Sequence, residues 1–375
     1  MRKTGADGEI RTLTDDALNV VPLPLGYVGR MGAGPTLRGG RFLRRTGCWQ
    51  AGDRPPDLSA GMATDLSDFF LELPTGRIEL RRVAPILMGI VNASPESFSD
   101  GSLHRSLDER VAAGLAQVEA GATLVDVGGE SGVTGEDPVT VEEEIRRVVP
   151  LIERLAARGV LVSIDTWKPP VARAALGAGA VMVNDVSGLR WPELADACAE
   201  AGAALVVMHT RAPPKHKAFP AYRDVVADVT AFLSEQTALA VERGMARDRL
   251  VIDPGPDFAK TPAQTVAVLR NLPDLHGLGL PILLAVSRKD FIGALTMRRP
   301  RERLAGTLAA IGAGVAGGAS ILRVHDVAAA ADFLRVRSAL EGELQVAEDL
   351  TLPLALRREP VQEAAEPPEA GNARH

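Results

Sequence analysis

Charged and amide side chains follow a series of short apolar runs along the chain, at the point where each run ends. They are Asn92, Asp126, Asp165, Asn184, Asp185, His209, Asp253, Arg288, Lys289, Arg323 and His325. A single Asp or Asn in such a place usually satisfies the backbone donors of a turn or of a helix start. When eight strand ends carry such groups toward one mouth, however, a ligand site is indicated.

The mixture of side chains indicates the chemistry of the ligand. Carboxylates and an amide suit a flat heterocycle with several N–H donors, whereas cations suit a phosphate group or stacking on an aromatic ring. The first set is Asp165, Asn184 and Asp253, and the second is Lys289, Arg323 and His325. The glycine-rich stretch GGESG at residues 128–132 could also present backbone N–H groups to an anion.

The residue patterns that several other kinds of site require are absent from the sequence. The run GPDFAKT at residues 255–261 looks like a phosphate-binding P-loop but has no glycine before its lysine. Zinc-protease and Ser-His-Asp patterns are missing. Cys48 and Cys198 lie far apart with no CxxC spacing, so neither a disulfide framework nor a structural zinc site is predicted. A reducing, cytoplasmic location is expected.

The elements that must position these groups alternate between apolar runs and amphipathic stretches. The predicted strands span 86–91, 123–127, 161–164, 181–183, 204–208, 250–252, 282–286 and 320–324. The predicted helices span 107–119, 141–158, 170–176, 192–201, 225–243, 262–269, 301–316 and 327–340. Continuous apolar strands that alternate with helices predict a parallel sheet covered by helices.

Eight such units within about 255 residues favour an α/β fold, the (β/α)8 TIM barrel. A doubly wound open sheet is the alternative, but the GxGxxG pattern that would follow its first strand is absent. Residues 69–80 predict a short β-hairpin ahead of the barrel. We assign residues 62–345 to the barrel domain.

The two ends of the chain have a different composition. Residues 1–61 are rich in Gly, Pro and Arg without a helical or strand period, which predicts a disordered segment or an upstream mis-called start ahead of Met62. Residues 346–375 are expected to form a disordered C-terminal tail.

Charge and hydropathy limit the partners. The 375 residues carry a formal net charge of −6, which argues against a nucleic-acid partner because no large positive field is available. Residues 304–322 are uncharged and long enough to suggest a membrane span. They are mostly Ala and Gly and are interrupted by Gly317 and Gly318, so a buried helix followed by a turn and a strand is predicted instead, and no membrane partner.

Taken in order, the motifs at the strand ends resemble those of the dihydropteroate synthase family of pterin-binding enzymes. They are MGIVNASPESFSDG at 88–101, DVGGES at 126–131, SIDT at 163–166, VND at 183–185, MH at 208–209, DPG at 253–255, SRK at 287–289 and RVHD at 323–326. The resemblance extends from about residue 85 to residue 340, some two thirds of the chain.

This resemblance implies a TIM-barrel transferase of folate biosynthesis. It would condense 6-hydroxymethyl-7,8-dihydropterin diphosphate with 4-aminobenzoate to give 7,8-dihydropteroate and diphosphate. It also implies a homodimer formed through the later helices.

The resemblance further implies roles for individual residues. Asp165, Asn184 and Asp253 would read the pterin edge, Lys289 its carbonyl side and Arg323 a ring face, with Met208 lining the slot. Asn92 would help to hold Mg²⁺ on the diphosphate, joined by Arg323 and His325 on its oxygens. Asp100 would stabilise the methylene cation, and Phe258 and the loop at Gly132 would flank the acceptor. Asp100, Lys289 and Arg323 are the expected catalytic residues.

Two departures from the family pattern affect the acceptor side. Gly132, Val133 and Thr134 stand where the family usually has Thr-Arg-Pro, and Asp290 stands where an uncharged or basic residue receives the aminobenzoate carboxylate. A carboxylate facing a carboxylate costs binding unless it is protonated or bridged. These departures resemble diverged second copies of the enzyme in some actinobacteria. The alternative is therefore a paralogue with weak or no synthase activity, or with another acceptor.

A basic loop could compensate for the missing arginine. The stretch RAPPKHK at residues 211–217 follows the fifth predicted strand of the barrel. A solvated loop is the favoured interpretation of such a charge cluster, and replacement of the arginine by Lys215 and Lys217 is kept as a hypothesis.

Overall fold

The structure is a computed structural model that describes residues 69–81, 84–93, 106–130 and 138–357. Two strands form an antiparallel hairpin, β1 (Phe69–Leu73) and β2 (Gly76–Leu80). The eight strands of a parallel sheet follow. They are β3 (Ile86–Asn92), β4 (Ala122–Gly128), β5 (Leu161–Asp165), β6 (Met182–Asp185), β7 (Ala204–Met208), β8 (Leu250–Asp253), β9 (Leu283–Leu284) and β10 (Ile321–Val324).

Helices separate the strands and cover the sheet. They are α1 (Leu107–Glu119), α2 (Val141–Ala156), α3 (Pro169–Gly177), α4 (Glu193–Ala201), α5 (Val225–Glu242), α6 (Pro262–Arg270), α7 (Asp290–Thr296), α8 (Leu304–Ala316) and α9 (Val327–Leu340). Short 3-10 helices occur at Arg247–Arg249, Leu272–Leu278, Pro300–Glu302 and Leu354–Leu356. Among the described helices, none is both long enough and apolar enough to span a bilayer.

The sheet closes on itself, which makes the fold a (β/α)8 TIM barrel as predicted. Consecutive strands pair from β3 to β8, and β10 pairs with both β3 and β9. A bridge between Ile252 and Ile282 joins β8 to the segment just before β9 and completes the circle. Closure matters for function because it gathers the carboxyl ends of all eight strands at one mouth.

Local sequence signals define where several helices begin. Ser106 and Glu109 form a reciprocal capping box at the start of α1, and Thr261 and Gln264 form another at the start of α6. The Thr140 side chain accepts a hydrogen bond from the Glu143 amide at the start of α2. These caps explain why the predicted helix starts agree with the structure at these three positions.

The structure differs from the predicted elements in two places. The strand predicted at 282–286 is reduced to Leu283–Leu284, and the seven-residue α7 directly after Lys289 was not predicted. Both lie where apolar residues are buried without a period of 2 or 3.6 long enough to identify an element. The predicted helix, turn and strand across 304–322 are confirmed by α8 and β10.

The predictions for the chain ends are largely untested. Residues 1–61 and 358–375 lie outside the described residues. Residues 346–356 are exposed and include the last 3-10 helix.

The hairpin packs on the amino-terminal end of the barrel, opposite the mouth. Leu71, Leu73 and Leu80 are buried in one apolar cluster with Met88 of β3 and Met182 of β6, among other residues from that end of the strands. The hairpin therefore acts as a plug that removes the barrel bottom from water, and its contribution is to stability rather than to chemistry.

We expect Leu80→Ala to destabilise the protein by about 3 kcal/mol, because the substitution leaves a cavity in a fully buried position. Denaturant unfolding would measure this loss, and the catalytic constants at a temperature well below the transition should stay unchanged. Glu79→Ala, at an exposed position of the same strand, is the control. An equal loss in both variants would contradict the plug.

Candidate active site at the barrel mouth

Strand register brings most of the predicted site residues to one level of the barrel. Asn92, Gly128, Asp165 and Asn184 lie side by side on β3, β4, β5 and β6. On the other side of the mouth Met208 of β7 is paired with Asp253 of β8. Asp100 and Gly132 lie outside the described residues.

A single arginine on β10 joins two of these strands, β4 and β5. Arg323 of β10 donates from Nε to Asp126 Oδ2 at 2.6 Å and from Nη2 to Asp165 Oδ2 at 2.7 Å. Asn184 Nδ2 donates to the same Asp126 oxygen at 3.0 Å. Asp126 and Asn184 are buried, whereas Asp165 and Arg323 are partly open to the mouth. The cluster is therefore a charged floor with an exposed upper edge.

Burial controls the protonation of the acids in this floor. Removal from water raises the pKa of Asp165 to about 7; Arg323 opposes the rise and Asp126 adds to it. Burial also raises the pKa of Asp253, although the Gly255 amide, which donates to its carboxylate at 2.7 Å, works in the opposite direction. The floor can thus both accept hydrogen bonds and hold a proton near neutral pH.

Lys289 and Phe258 form the next part of the rim. The Lys289 ammonium lies 4.1 Å from the centroid of the Phe258 ring, a cation–π contact. Burial lowers the pKa of Lys289, while Asp257 and Asp253 favour its charged form. The preceding residue, Arg288, pairs with Asp326 through two hydrogen bonds of 3.1 and 2.7 Å, which indicates a structural role.

His325 is not a cation, contrary to the expectation from the sequence. Its Nδ1 lies 3.0 Å from Ser287 Oγ, and burial together with the neighbouring Arg323 and Arg288 lowers its pKa to about 3. The ring is therefore a neutral hydrogen-bonding group at physiological pH, and the positive charge at this end of the mouth comes from Arg323 and Lys289.

Asp185 has the ordinary structural role of a strand-end acid, which is to accept hydrogen bonds from backbone amides of the following turn. Its carboxylate accepts hydrogen bonds from the amides of Ser187 and Leu189 at 2.8 and 2.5 Å, so it caps the turn after β6. Asp126 is the opposite case. The sequence predicts it as a strand-end residue without a role, but it lies inside β4, and its buried Oδ1 accepts no hydrogen bond from the residues that the structure describes. Such an acceptor at the centre of a site points to a ligand donor.

A second polar cluster lies behind Phe258, and no motif or period in the sequence predicts it. The buried Lys260 lies 2.7 Å from His209 Nδ1, and His209 Nε2 lies 2.9 Å from Asp228. Burial lowers the pKa of Lys260 to about 7. Burial and the Lys260 charge lower the pKa of His209 to about 4, against the opposing effect of Asp228. Lys260 belongs to the GPDFAKT run at residues 255–261, which resembles a P-loop only superficially. The sequence does not indicate its role, because no periodic signal marks a lysine that folds back into its own loop.

Three cations of the basic loop at residues 211–217, Arg211, Lys215 and Lys217, each have an acidic partner. Arg211 makes two hydrogen bonds of 2.9 Å to Asp228, Lys215 lies 3.3 Å from Glu130, and Lys217 lies 3.1 Å from Asp290. The prediction that this loop is solvated is therefore wrong for Lys215, whose side chain is buried. Its charge faces Glu130, directly ahead of residues 131–137.

The carboxylate of Asp290 is bridged rather than protonated. Lys217 Nζ and Arg303 Nη1 both lie 3.1 Å from its oxygens. Partial burial would raise the pKa of Asp290, but these two hydrogen bonds outweigh burial and lower it. Asp290 could tolerate an incoming carboxylate if it were protonated or if cations bridged it, and in the structure two cations bridge it.

The depressed pKa of His209 predicts acid sensitivity. Between about pH 6.5 and pH 4, His209 is protonated in the unfolded chain but neutral in the folded protein. The free energy of unfolding is therefore highest above this window and falls as the pH decreases through it. We expect the loss of unfolding free energy between pH 7.5 and pH 5, measured in urea, to be smaller by about 2 kcal/mol in His209→Gln. His216→Gln, at an exposed histidine, should behave as wild type.

Comparisons with known proteins agree with this geometry. The family model for pterin binding enzymes matches residues 88–325. The dihydropteroate synthase of Escherichia coli K12 is 41% identical over 254 residues, which cover 67% of this chain and 90% of that protein. The Xanthomonas albilineans dihydropteroate synthase structure with 4-aminobenzoic acid is 45% identical with a TM-score of 0.68, covering 73% and 99% of the two chains.

A second structure of the Xanthomonas albilineans enzyme, in complex with 7,8-dihydropteroate, is 47% identical with a TM-score of 0.63 and covers 70% of this chain and 96% of that one. The matched region contains strands β4 to β10 in full, β3 from Met88 onward, and every described residue of the mouth. The chain therefore belongs to the pterin-binding enzyme family, the group that includes these dihydropteroate synthases.

Proposed function

We propose that the protein is a dihydropteroate synthase, which joins 6-hydroxymethyl-7,8-dihydropterin diphosphate to 4-aminobenzoate with release of diphosphate. The observation that carries the proposal is the floor of the mouth, where Arg323 holds Asp126 and Asp165 beside Asn184. The relatives whose solved structures hold 4-aminobenzoic acid and 7,8-dihydropteroate support the same reaction.

The pterin edge matches the floor in its donors and acceptors. Asp165, Asn184 and Asp253 would bind its ring N–H and amino groups, and the buried Oδ1 of Asp126 would accept one more of these donors. Lys289 would donate to the pterin carbonyl. Arg323 uses Nε and Nη2 on the two carboxylates, which leaves the flat face of its guanidinium for stacking on the ring. Met208, buried beside Asp253, would line the slot.

The diphosphate would lie beyond the pterin, where Arg323 and the neutral His325 donate to its oxygens. Within the described ranges no group of three His, Cys, Asp or Glu side chains could hold a metal ion by itself. Asn92 fits the limited role that Mg²⁺ needs, because this ion takes few protein ligands and completes its shell with water and substrate phosphate. Bound Mg²⁺ would neutralise charge on the diphosphate.

The chemical step needs no protein nucleophile. The bond from the pterin methylene to the diphosphate oxygen breaks, and the 4-aminobenzoate nitrogen forms the new C–N bond and then loses a proton. Asp100, which follows β3 in the sequence, would stabilise the positive charge that develops on the methylene. Phe258 would flank the acceptor ring, and Gly132 is the further residue that the resemblance assigns to substrate binding.

The acceptor side supports an alternative. Because Asp290 keeps its negative charge, it opposes the carboxylate of 4-aminobenzoate unless Lys217 and Arg303 compensate. This arrangement favours, as the second candidate, a pterin-binding paralogue with weak synthase activity or a different aromatic amine as acceptor.

Diphosphate release measured with and without 4-aminobenzoate separates the candidates. Release that depends on 4-aminobenzoate, together with growth of a strain that lacks its own dihydropteroate synthase, supports the synthase. Release only with another amine supports the changed acceptor, and calorimetric binding of the pterin diphosphate without any release supports the non-catalytic paralogue.

We also place the reaction in the cytoplasm and propose that the protein forms a homodimer. Apolar side chains on and directly after α7 and on α9 are exposed, namely Leu295, Met297, Val336 and Leu340. Exposed apolar side chains of this size are typical of surfaces that a second copy covers. Sedimentation velocity would give the mass in solution.

We expect Asp126→Asn to lower kcat/KM by about 100-fold or more, since the substitution removes the charge that holds Arg323 and puts an amide donor into the pterin slot. Steady-state diphosphate release measures the effect. Asp185→Asn is a matched control, because this buried acid at the end of β6 caps a turn. It should lose stability while its KM values stay near wild type, and an equal loss of kcat/KM in both variants would refute the role of Asp126.

We expect Asp290→Ser to lower the KM for 4-aminobenzoate by about tenfold, because the substitution removes a like charge and releases Lys217 and Arg303 toward the acceptor carboxylate. The KM for the pterin diphosphate should stay the same. A rise in the 4-aminobenzoate KM would mean instead that Asp290 assists the acceptor by holding Lys217 in place.

A further inference from the structure

The loop between β8 and α6 has an unusual backbone. Gly255, Asp257 and Ala259 all lie in the left-handed region, with φ of +63°, +65° and +51°. A Cβ on Gly255 would approach the His209 carbonyl oxygen to 2.1 Å, so the loop is pressed against the end of β7. Non-glycine residues in this region persist only when surrounding contacts compensate for the strain.

Lys260 supplies such contacts from within the loop. Its Nζ donates to the carbonyl oxygens of Gly255 and Phe258 at 2.9 and 3.1 Å and lies 2.7 Å from His209 Nδ1. Lys260 is only 1% exposed. The side chain therefore folds back beneath the turn that carries Phe258 and fixes two of its carbonyl groups.

The surroundings of His209 show that it accepts a hydrogen bond from Lys260. Its Nε2 lies 2.9 Å from the carboxylate of Asp228, which also receives two hydrogen bonds from Arg211. A carboxylate accepts, so Nε2 carries the ring proton and Nδ1 is the acceptor. Lys260 Nζ also lies 3.4 Å from the His209 carbonyl oxygen, so it faces four acceptors, which neither a methionine nor a glutamine at this position could satisfy together.

The fixed turn connects directly to the rim of the mouth. Phe258 contacts the Lys289 ammonium, and the neighbouring Asp257 accepts a hydrogen bond from the Phe291 amide in α7 at 3.0 Å. The loop, Lys289 and the start of α7 are therefore held as one unit. A shift of the turn would move the Phe258 ring away from Lys289 and would open the acceptor side of the mouth.

We propose that Lys260 is a positioning residue that sets the Phe258 ring against Lys289 and thereby shapes the acceptor subsite. The proposal rests on the proposed function for its kinetic consequence, but the effect on the loop does not depend on it. Lys260 acts through Phe258 and contacts neither substrate.

The central experiment compares Lys260→Met, which keeps the length of the side chain and removes the donors, with Lys260→Gln, which keeps an amide donor. In full-length protein, the KM for 4-aminobenzoate should rise about tenfold in Lys260→Met and less in Lys260→Gln, while kcat and the KM for the pterin diphosphate change by less than about threefold. In a Phe258→Ala background, Lys260→Met should add almost nothing to the KM, because both substitutions disable the same ring.

Hydrogen exchange gives a readout that needs no turnover. The peptide that contains the Phe258 amide, which donates to the Gly255 carbonyl, should exchange about tenfold faster in Lys260→Met. Leu80→Ala, which destabilises the opposite end of the barrel, should not show this local increase. If Lys260→Met does not fold, Lys260→Gln carries the same comparison.

Three outcomes would overturn the proposal: unchanged exchange in the loop, additive effects with Phe258→Ala, or equal shifts in all kinetic constants. A wild-type protein that releases no diphosphate with 4-aminobenzoate would instead refute the proposed function. The exchange rates would then still decide whether Lys260 holds the loop.

Discussion

The pairing of Arg323 with Asp126 and Asp165 is the interaction on which the mouth of this barrel depends. Two carboxylates so close together in a poorly solvated place repel each other, and a cation between them relieves the repulsion at the cost of its own desolvation. The arrangement requires the closed barrel, because Arg323 on β10 and Asp165 on β5 belong to strands that are not adjacent in the sheet and meet at its mouth. The hairpin plug and the bridge that closes the sheet at Ile282 therefore contribute to the geometry of the floor, although both lie away from it.

Much of this arrangement follows from the sequence, because a parallel strand that is buried on both faces is a run of apolar residues whose end is visible. The alternation of such runs with helices predicts the barrel, and the residue after each run predicts the mouth. Charge states could not be predicted in the same way. His325 looked like a cation, but its protonation depends on the arginines that the fold places around it and on its burial, none of which the local sequence contains.

Side chains that bond to their own loop escape sequence analysis for another reason. The helix period and the strand period identify a residue by the face it shares with others. Lys260 shares no face, since its partners are two carbonyl groups of its own turn and a histidine from the previous strand. Asp126 was visible as a strand end but could not be distinguished from the turn-capping Asp185, because both are buried acids and only their partners differ.

Substitutions on the two sides of the mouth differ in how much folding stability they remove. On the pterin side the charges are buried, and removal of one partner leaves the other unpaired, which typically destabilises a protein by 3–5 kcal/mol. On the acceptor side Asp290 and Lys217 are 63% and 52% exposed, and an ion pair in that setting contributes about 1 kcal/mol or less. Substitutions at the acceptor side therefore leave the fold and the pterin floor intact. This difference gives a physical reason why a chain that keeps the proposed pterin side can carry an aspartate where the resemblance implies an uncharged or basic residue.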